Sequence, residues 1–204
     1  MSKISKIFKN PKLKTAKSDI YLDGKFACSI LDEIVYKCGL YEGREVDEKA
    51  LNEVLIENEK TVCFNKALNY ISKKICSKFE LVKNLKDKGF SQNAIENAAN
   101  KLIDYNYIND SEYVNSYISF NHNKGKLKIK YELKKKGVSD DLISGALLKL
   151  ENQDVLCLVA AKKYIEKKPD YKKQSLYQYL ITKGFEYDVV AAALNKIRSL
   201  ELDE

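Results

Sequence analysis

The chain has 204 residues, 45% of them hydrophobic and 32% charged, with a formal net charge of +7. That apolar fraction suffices to bury a core and excludes a wholly disordered polypeptide. No apolar run approaches the roughly 18 residues needed to span a bilayer, and the lysine-bearing start lacks the apolar stretch of a signal peptide, so the expectation is a cytoplasmic chain with no membrane partner.

Residues 1–18 carry six lysines and no acid, and residues 1–10 read as a mobile end or an edge strand. Asp23-Gly24, set between Ile20-Tyr21-Leu22 and Phe26-Ala27-Cys28, is a strong hairpin signal, since a two-residue type I′ turn needs positive φ at both positions. β structure is expected within the first thirty residues alone. Residues 31–38 and 47–58 then read as helices, with Gly39 stopping the first and Asp47 capping the second. Residues 30–61 hold nine acids against four bases, so charge is segregated along the chain. Arg44 and Arg198 are the only arginines beside 34 lysines, so lysine abundance alone says little, whereas its placement suggests a footprint for a polyanion or an acidic protein surface.

Lys-Gly recurs at 88–89, 136–137 and 183–184, each time inside the same apolar pattern. Leu81, Ile129 and Leu176 stand eight residues before the glycines, and Leu85, Leu133 and Leu180 four before, marking one helix face. After the glycines come Ile95, Ala98, Ala99 and Leu102, then Ile143, Ala146, Leu147 and Leu150, then Val190, Ala193, Leu194 and Ile197, a second face at helical spacing. Each glycine is read as a left-handed helix stop, with Phe90, Val138 and Phe185 turning inward behind it. Ser91 and Ser139 are placed as caps, Glu186 takes that position in the third copy, and Ser77-Lys78-Phe79-Glu80 forms a capping box. A further helix precedes each pair, read from Phe64, Ala67, Leu68, Ile71 and Ile75, from Tyr113, Val114, Tyr117 and Ile118, and from Val155, Leu158, Val159 and Lys162–Ile165. The expected fold is mainly α: three tandem three-helix repeats in a curved array after a small β-hairpin region with short helices. The boundaries are residues 1–60 for the hairpin region, then 61–107, 108–150 and 151–204 for the repeats. The middle copy is the most basic, with seven lysines against Glu132 over residues 123–137.

Several local motifs are similar to those of the RecX family of recombinase regulators. Ala67-Leu68 followed by Lys74-Ile75-Cys76-Ser77-Lys78-Phe79-Glu80-Leu81 resembles its first-repeat signature, with Lys74 and Cys76 where that signature has two arginines. Tyr107-Ile108-Asn109-Asp110-Ser111-Glu112-Tyr113 resembles the link between repeats, with Asn106 where glycine is usual. Ile129, Glu132-Leu133, Lys136-Gly137-Val138 and Gly184-Phe185 match the later repeats, and the hairpin region resembles that of the longer members. The resemblance implies a cytoplasmic, monomeric regulator without enzymatic activity or cofactor. It would bind the RecA nucleoprotein filament, lower recombinase, ATPase and co-protease activity in the DNA damage response, and touch single-stranded and duplex DNA without sequence preference. The residues expected to carry RecA or DNA contact are Lys73, Lys74 and Lys78 near the first-repeat signature, and Lys124, Lys126, Lys128, Lys130, Tyr131, Lys134 and Lys135 in the middle repeat.

The rival reading is a helix-turn-helix DNA-binding module. Against it, the helices after Gly137 and Gly184 open with Ser139-Asp140-Asp141 and Glu186-Tyr187-Asp188, which phosphate would repel. Lys126, Lys130 and Lys134 instead form an i, i+4, i+8 row on the preceding helix, suited to backbone or acidic-surface contact. Asp104, Asp110 and Glu112 could be imagined as a metal cluster, but Asp110 is better explained as the cap of a helix starting at Ser111. Tyr105, Tyr107, Tyr113 and Tyr117 are read as packing between repeats with their hydroxyls at the rim, and Tyr131 as an exposed contact. His122 has no triad partner at a telling spacing, and Cys28, Cys38, Cys63, Cys76 and Cys157, lacking any CxxC, read as small apolar residues rather than metal ligands or disulfides.

Overall fold

A computed structural model describes residues 1–9 and 16–202, with the side chains of residues 200–202 left undescribed. Lys12 and Lys14 of the basic start, and residues 203–204 of the third repeat, therefore lie outside the described residues. Four strands form one antiparallel sheet in the order β3-β2-β1-β4, with β1 at Ser2–Lys9, β2 at Lys17–Leu22, β3 at Lys25–Leu31 and β4 at Glu45–Val46. The Asp23-Gly24 turn has φ of 49° and 81° and joins β2 to β3 as expected. The start of β1 is interior to the sheet, because Ser2 and Lys3 pair with Val46 and Glu45 of β4 while Ile4 pairs with Leu22. That corrects the restriction of β structure to the first thirty residues, and it limits the edge-strand reading to Lys6–Lys9, which pair with β2 alone.

One face of the sheet is covered. Ile4, Ile20 and Ile30 are buried there with Ile34 and Val35 of α1 (Asp32–Lys37), Val46, and Val54 of α2 (Glu48–Ile71). Asp47 caps α2 by accepting from the Ala50 amide at 2.7 Å. α2 then runs unbroken for 24 residues, past the end at residue 58 expected from the sequence. It serves two cores in succession: Val54 joins the sheet core, and a turn and more later Cys63 and Ala67, both fully buried, begin the first three-helix unit. Ile75, expected on the same stripe, lies beyond the helix and is 67% exposed.

Among the described residues eight helices follow α2: α3 (Lys78–Asp87), α4 (Gln92–Asp104), α5 (Asp110–Phe120), α6 (Lys126–Lys135), α7 (Asp140–Leu148), α8 (Gln153–Lys167), α9 (Lys173–Thr182) and α10 (Tyr187–Leu202). Among the described residues no strand occurs after Val46. The chain divides into two compact units, Met1–Lys74 with Leu81–Tyr107, and Ile75–Glu80 with Ile108–Glu204. Leu81, Leu85, Ile129, Leu133, Leu176 and Leu180 are all fully buried, as their repeated spacing requires. In α8 the buried positions are Cys157 and Ala161, whereas Val155 and Val159 are 58% and 43% exposed, so the stripe sits one or two residues away from the one read in the sequence.

The three Lys-Gly turns share one geometry. Gly89, Gly137 and Gly184 have φ of 81°, 69° and 88°. Behind each, the next amide reaches back five residues to the buried leucine's carbonyl: Phe90 to Leu85 at 3.4 Å, Val138 to Leu133 at 3.3 Å and Phe185 to Leu180 at 3.4 Å. This is the Schellman closure, which satisfies carbonyls that the helix end leaves unpaired.

Within the second unit the turns also receive the start of an earlier helix. Ser77 donates its hydroxyl to the Lys136 carbonyl at 2.6 Å, and the Phe79 side chain lies where a Cβ on Gly137 would stand, 2.2 Å away. One repeat later the Gly125 and Leu127 amides donate to the carbonyls of Lys183 and Gly184, both at 3.0 Å. There a Cβ on Gly184 would come within 2.3 Å of the Lys128 Cβ, and one on Gly125 within 2.1 Å of the Gly184 carbonyl carbon. Ser77 also keeps its capping box, accepting from the Glu80 amide at 3.1 Å while the Glu80 carboxylate accepts from the Ser77 amide at 3.3 Å. Gly89, by contrast, has nothing within 4 Å of a Cβ. Replacing Gly89 with alanine is therefore expected to cost only the left-handed backbone term, about 1–2 kcal/mol. Gly137→Ala adds a clash with Phe79 and should cost about 3 kcal/mol or more, a difference that urea unfolding of the two variants measures.

Candidate functional site

The helix with the densest basic surface is α6, and its inner face is fixed by sequence: Ile129 and Leu133 are fully buried with Tyr113, Val114, Val138, Ile143 and Leu147. The 3.6-residue period places Lys126, Lys130 and Lys134 in a row along the flank of that buried face, Lys126 and Lys130 half-buried and Lys134 exposed, while Leu127 and Tyr131, 45% and 57% exposed, lie on the outer side. Both ends of the helix are held. At its start the Lys126 amide donates to the Gln153 side chain at 3.1 Å and the Lys128 ammonium to the Thr182 carbonyl at 3.2 Å, alongside the two backbone bonds onto the Gly184 turn. Just beyond its end Lys136 binds Ser77 through its carbonyl and Glu80 through its ammonium at 2.8 Å.

The lysines of this surface have different electrostatic surroundings. Lys134 pairs with Asp140, the first residue of α7, at 2.7 Å. Its hydrogen bond, with a smaller contribution from Lys130, holds the Asp140 carboxyl below its ordinary value. Lys124 pairs with Glu132 at 2.7 Å, and Lys135 stands over the Tyr131 ring with its ammonium 4.6 Å from the centroid. Lys126 and Lys130 make no ion pair among the described residues. In the first repeat Lys73 and Lys74 follow α2 in the first unit, and the Lys74 ammonium lies 4.8 Å from the Tyr70 ring centroid. Lys78 belongs to the second unit, where its backbone amide donates to the Asp110 carboxylate at 2.8 Å and its side chain is exposed.

That bond corrects the role assigned to Asp110. The cap of α5 is Asn109, whose side-chain oxygen accepts from the Ser111 and Glu112 amides at 3.0 and 3.2 Å, while Asp110 reaches back to the start of α3. Asp104 and Glu112 are exposed, and among the described residues no three His, Cys, Asp or Glu side chains are placed to hold a metal ion. The tyrosines separate into two pairs. Tyr105 and Tyr107 are 63% and 62% exposed and meet edge to face at 6.1 Å, so they do not pack between repeats. Tyr113 and Tyr117 do pack, at 6.2 Å, and their hydroxyls reach Glu80 at 3.3 Å and Glu132 at 2.7 Å. Burial, then the adjacent carboxylates, pushes both phenols upward. His122 is exposed, with Nδ1 3.0 Å from the Ser119 carbonyl. All five cysteines are free; Cys63, Cys76 and Cys157 are buried, and desolvation raises the Cys63 and Cys157 thiols to about 11.

The Lys124–Glu132–Tyr117 cluster is a functional support that sequence reasoning missed, because its members become neighbours only when α5 folds back on α6. Burial works to raise the Glu132 carboxyl, yet the bonds from Lys124 and Tyr117 outweigh it and hold the group below 4.5. A carboxyl lowered on folding contributes stability above its unfolded value and loses it as pH falls through the folded value. Glu132→Gln should therefore cost about 1 kcal/mol at pH 7, and the gap from the parent should shrink progressively below pH 4.5 in urea titrations.

Comparison with known proteins matches each part of this architecture. Family models for the regulatory protein RecX N-terminal domain match residues 2–47, for the first RecX three-helix domain residues 63–102, and for the second residues 109–147. The regulatory protein RecX of Clostridium beijerinckii is 34% identical over 214 aligned positions covering 100% of both chains. That of Clostridium perfringens (strain 13 / Type A) is 32% identical over 91% of this chain and 92% of its own. A crystal structure of regulatory protein RecX superposes with a TM-score of 0.71 at 27% identity, covering 96% of this chain and 100% of that one. A crystal structure of RecX from Lactobacillus salivarius gives 0.62 at 28% identity over 70% of this chain and 98% of that one. The chain belongs to the RecX family of regulatory proteins.

Proposed function

We propose that this chain binds the RecA nucleoprotein filament and modulates its recombinase, ATPase and co-protease activities in the cytoplasm, acting as a regulator with no chemistry of its own. The observation that carries the reading is the lysine row along the flank of α6. Lys126 and Lys130 lie one turn apart, half-buried and with no ion pair among the described residues, on the flank of a helix whose inner face is sealed in the core and whose two ends are tied down. A rigid pair of cations next to an exposed tyrosine suits the acidic surface of a protein partner, or the phosphates that the partner carries. Lys73, Lys74, Lys78, Lys124, Lys128, Tyr131 and Lys135 extend the basic surface in this reading, and direct DNA contact is weak and indifferent to sequence.

The helix-turn-helix alternative has less support. α7 follows the Gly137 turn where a recognition helix would lie, but it opens with Asp140 and Asp141, both exposed. Their charge opposes entry into a groove lined with phosphate.

The test is RecA ATP hydrolysis on single-stranded DNA with substoichiometric amounts of the chain. Lys126→Glu with Lys130→Glu changes the face while leaving the Lys134–Asp140 pair and the core intact, so the helical circular dichroism should be retained. The amount needed for half-inhibition should rise about tenfold or more. A folded double variant that inhibits like the parent would remove this face from the mechanism. A parent that leaves RecA unaffected at every ratio would overturn the reading itself.

A further inference from the structure

The first unit carries a second basic surface of a different kind. In β2 the side chains of Ser18, Ile20 and Leu22 point to the helix-covered face, so Lys17, Asp19 and Tyr21 point away from it. Pairing carries this outer face across the sheet: Lys6 of β1, Tyr21 of β2 and Phe26 of β3 form one cross-strand row, and Phe8 stands opposite Asp19 in the next. Phe8 and Phe26 are 46% and 59% exposed. Tyr21 meets Phe26 edge to face at 5.9 Å, and the Lys6 ammonium lies 5.6 Å from the Phe8 ring centroid.

Two exposed phenylalanines on the outer face of a four-stranded sheet are expensive to leave in water, and the charges around them indicate what they would meet. Lys3, Lys6 and Lys17 share the face with Asp19 and with Glu45, which stands opposite Lys3. Other acids of the module lie off this face: Asp32 on α1 bonds Ser18 of the covered face at 2.7 Å, Glu42 takes the Ile7 amide at 2.9 Å along the β1 edge, and Glu57 and Glu59 lie on α2. The outer face thus holds the rings with three lysines, Lys3, Lys6 and Lys17, against two acids, Asp19 and Glu45.

We propose that this outer sheet face is a binding platform for single-stranded nucleic acid, separate from the α6 surface. Unstacked bases lie on Phe8 and Phe26, Tyr21 supports Phe26 from its edge, and Lys6 and Lys17 meet the phosphates. Sheet-borne aromatics take bases in this manner because every base presents a π face, whatever the sequence. A duplex hides those faces, so the platform discriminates by strandedness. Asp19 is the one acid among these rings, and it opposes the ligand.

The test is fluorescence anisotropy with a labelled oligothymidylate and a labelled duplex of equal length, across salt concentrations. Phe8→Leu with Phe26→Leu keeps apolar bulk at both exposed positions and removes the rings. It should weaken single-strand binding about tenfold or more while leaving duplex binding and the salt slope unchanged. Asp19→Asn should tighten single-strand binding several-fold. The proposal is overturned if the double leucine variant, folded by circular dichroism, binds the oligothymidylate like the parent. It is equally overturned if that variant loses only its effect on RecA, which would make the face a protein-docking surface. RecA ATP hydrolysis by Lys126→Glu/Lys130→Glu is a separate readout, so failure of the platform and failure of the α6 reading remain distinguishable.

Discussion

The second unit depends on a backbone that must do two things at one residue. At Gly137 and Gly184 the chain takes a positive φ to end a helix, and the same glycine is approached so closely by an earlier helix that no Cβ fits. Positive φ alone would tolerate asparagine, as Asn106 shows at 55°, with its neighbour Tyr107 donating back to the Leu102 carbonyl at 2.8 Å. Close approach removes that option at Gly137 and Gly184. Each turn also exposes a carbonyl, at Lys136 or Lys183, and in each case the incoming helix start supplies the donor, once from a serine hydroxyl and once from a glycine amide. Two different donors, a hydroxyl and a backbone N–H, thus solve one problem, that of satisfying a neighbouring turn's orphan carbonyl.

α6 is the element on which these junctions converge. Its first turn sits on the Gly184 turn, and the residue after its last turn is clasped by Ser77 and Glu80. A surface lysine ordinarily spends its freedom in solvent, and ordering it at an interface costs side-chain entropy. Clamping the helix does not order the ammonium groups themselves, but it fixes the spacing of Lys126 and Lys130 and the direction from which they project. The flanking pairs Lys134–Asp140 and Lys124–Glu132 neutralise nearby charge, whereas Lys126, Lys128, Lys130 and Lys135 make no ion pair among the described residues.

The period of the Lys-Gly turns was legible because glycine is a local signal and the buried positions around it repeat in phase. The extent of α2 was harder to see, since its apolar stripe changes partner between Val54 and Cys63 and so reads as two helices, although no glycine or proline interrupts residues 47–71. β4 escaped notice because two residues carry no period, and its existence depends on β1 being there to pair with it. Asn109 and Asp110 are both competent caps, and only the position of the α3 amide decides which of them reaches elsewhere. For the candidate site, the lysines and their helix face could be read from spacing, but their ion pairs could not, because Asp140 and Glu132 acquire meaning only from how α5, α6 and α7 fold together. The outer face of the sheet was hidden for a related reason: Phe8, Tyr21 and Phe26 become neighbours only through the pairing register, which two bulges adjust.

The start of α6 is closed by the turn of the next repeat rather than by solvent or a side-chain cap. Amide hydrogen exchange at Gly125 and Leu127 tests this closure directly. First-turn amides of a helix normally exchange fast, since they lack an intrahelical acceptor. Here both should be protected to a degree comparable with Ile129 and Leu133 in the middle of the helix, because their acceptors are the Lys183 and Gly184 carbonyls. Exchange of Gly125 and Leu127 at the rate of an unstructured peptide, while Ile129 and Leu133 stay protected, would contradict the account.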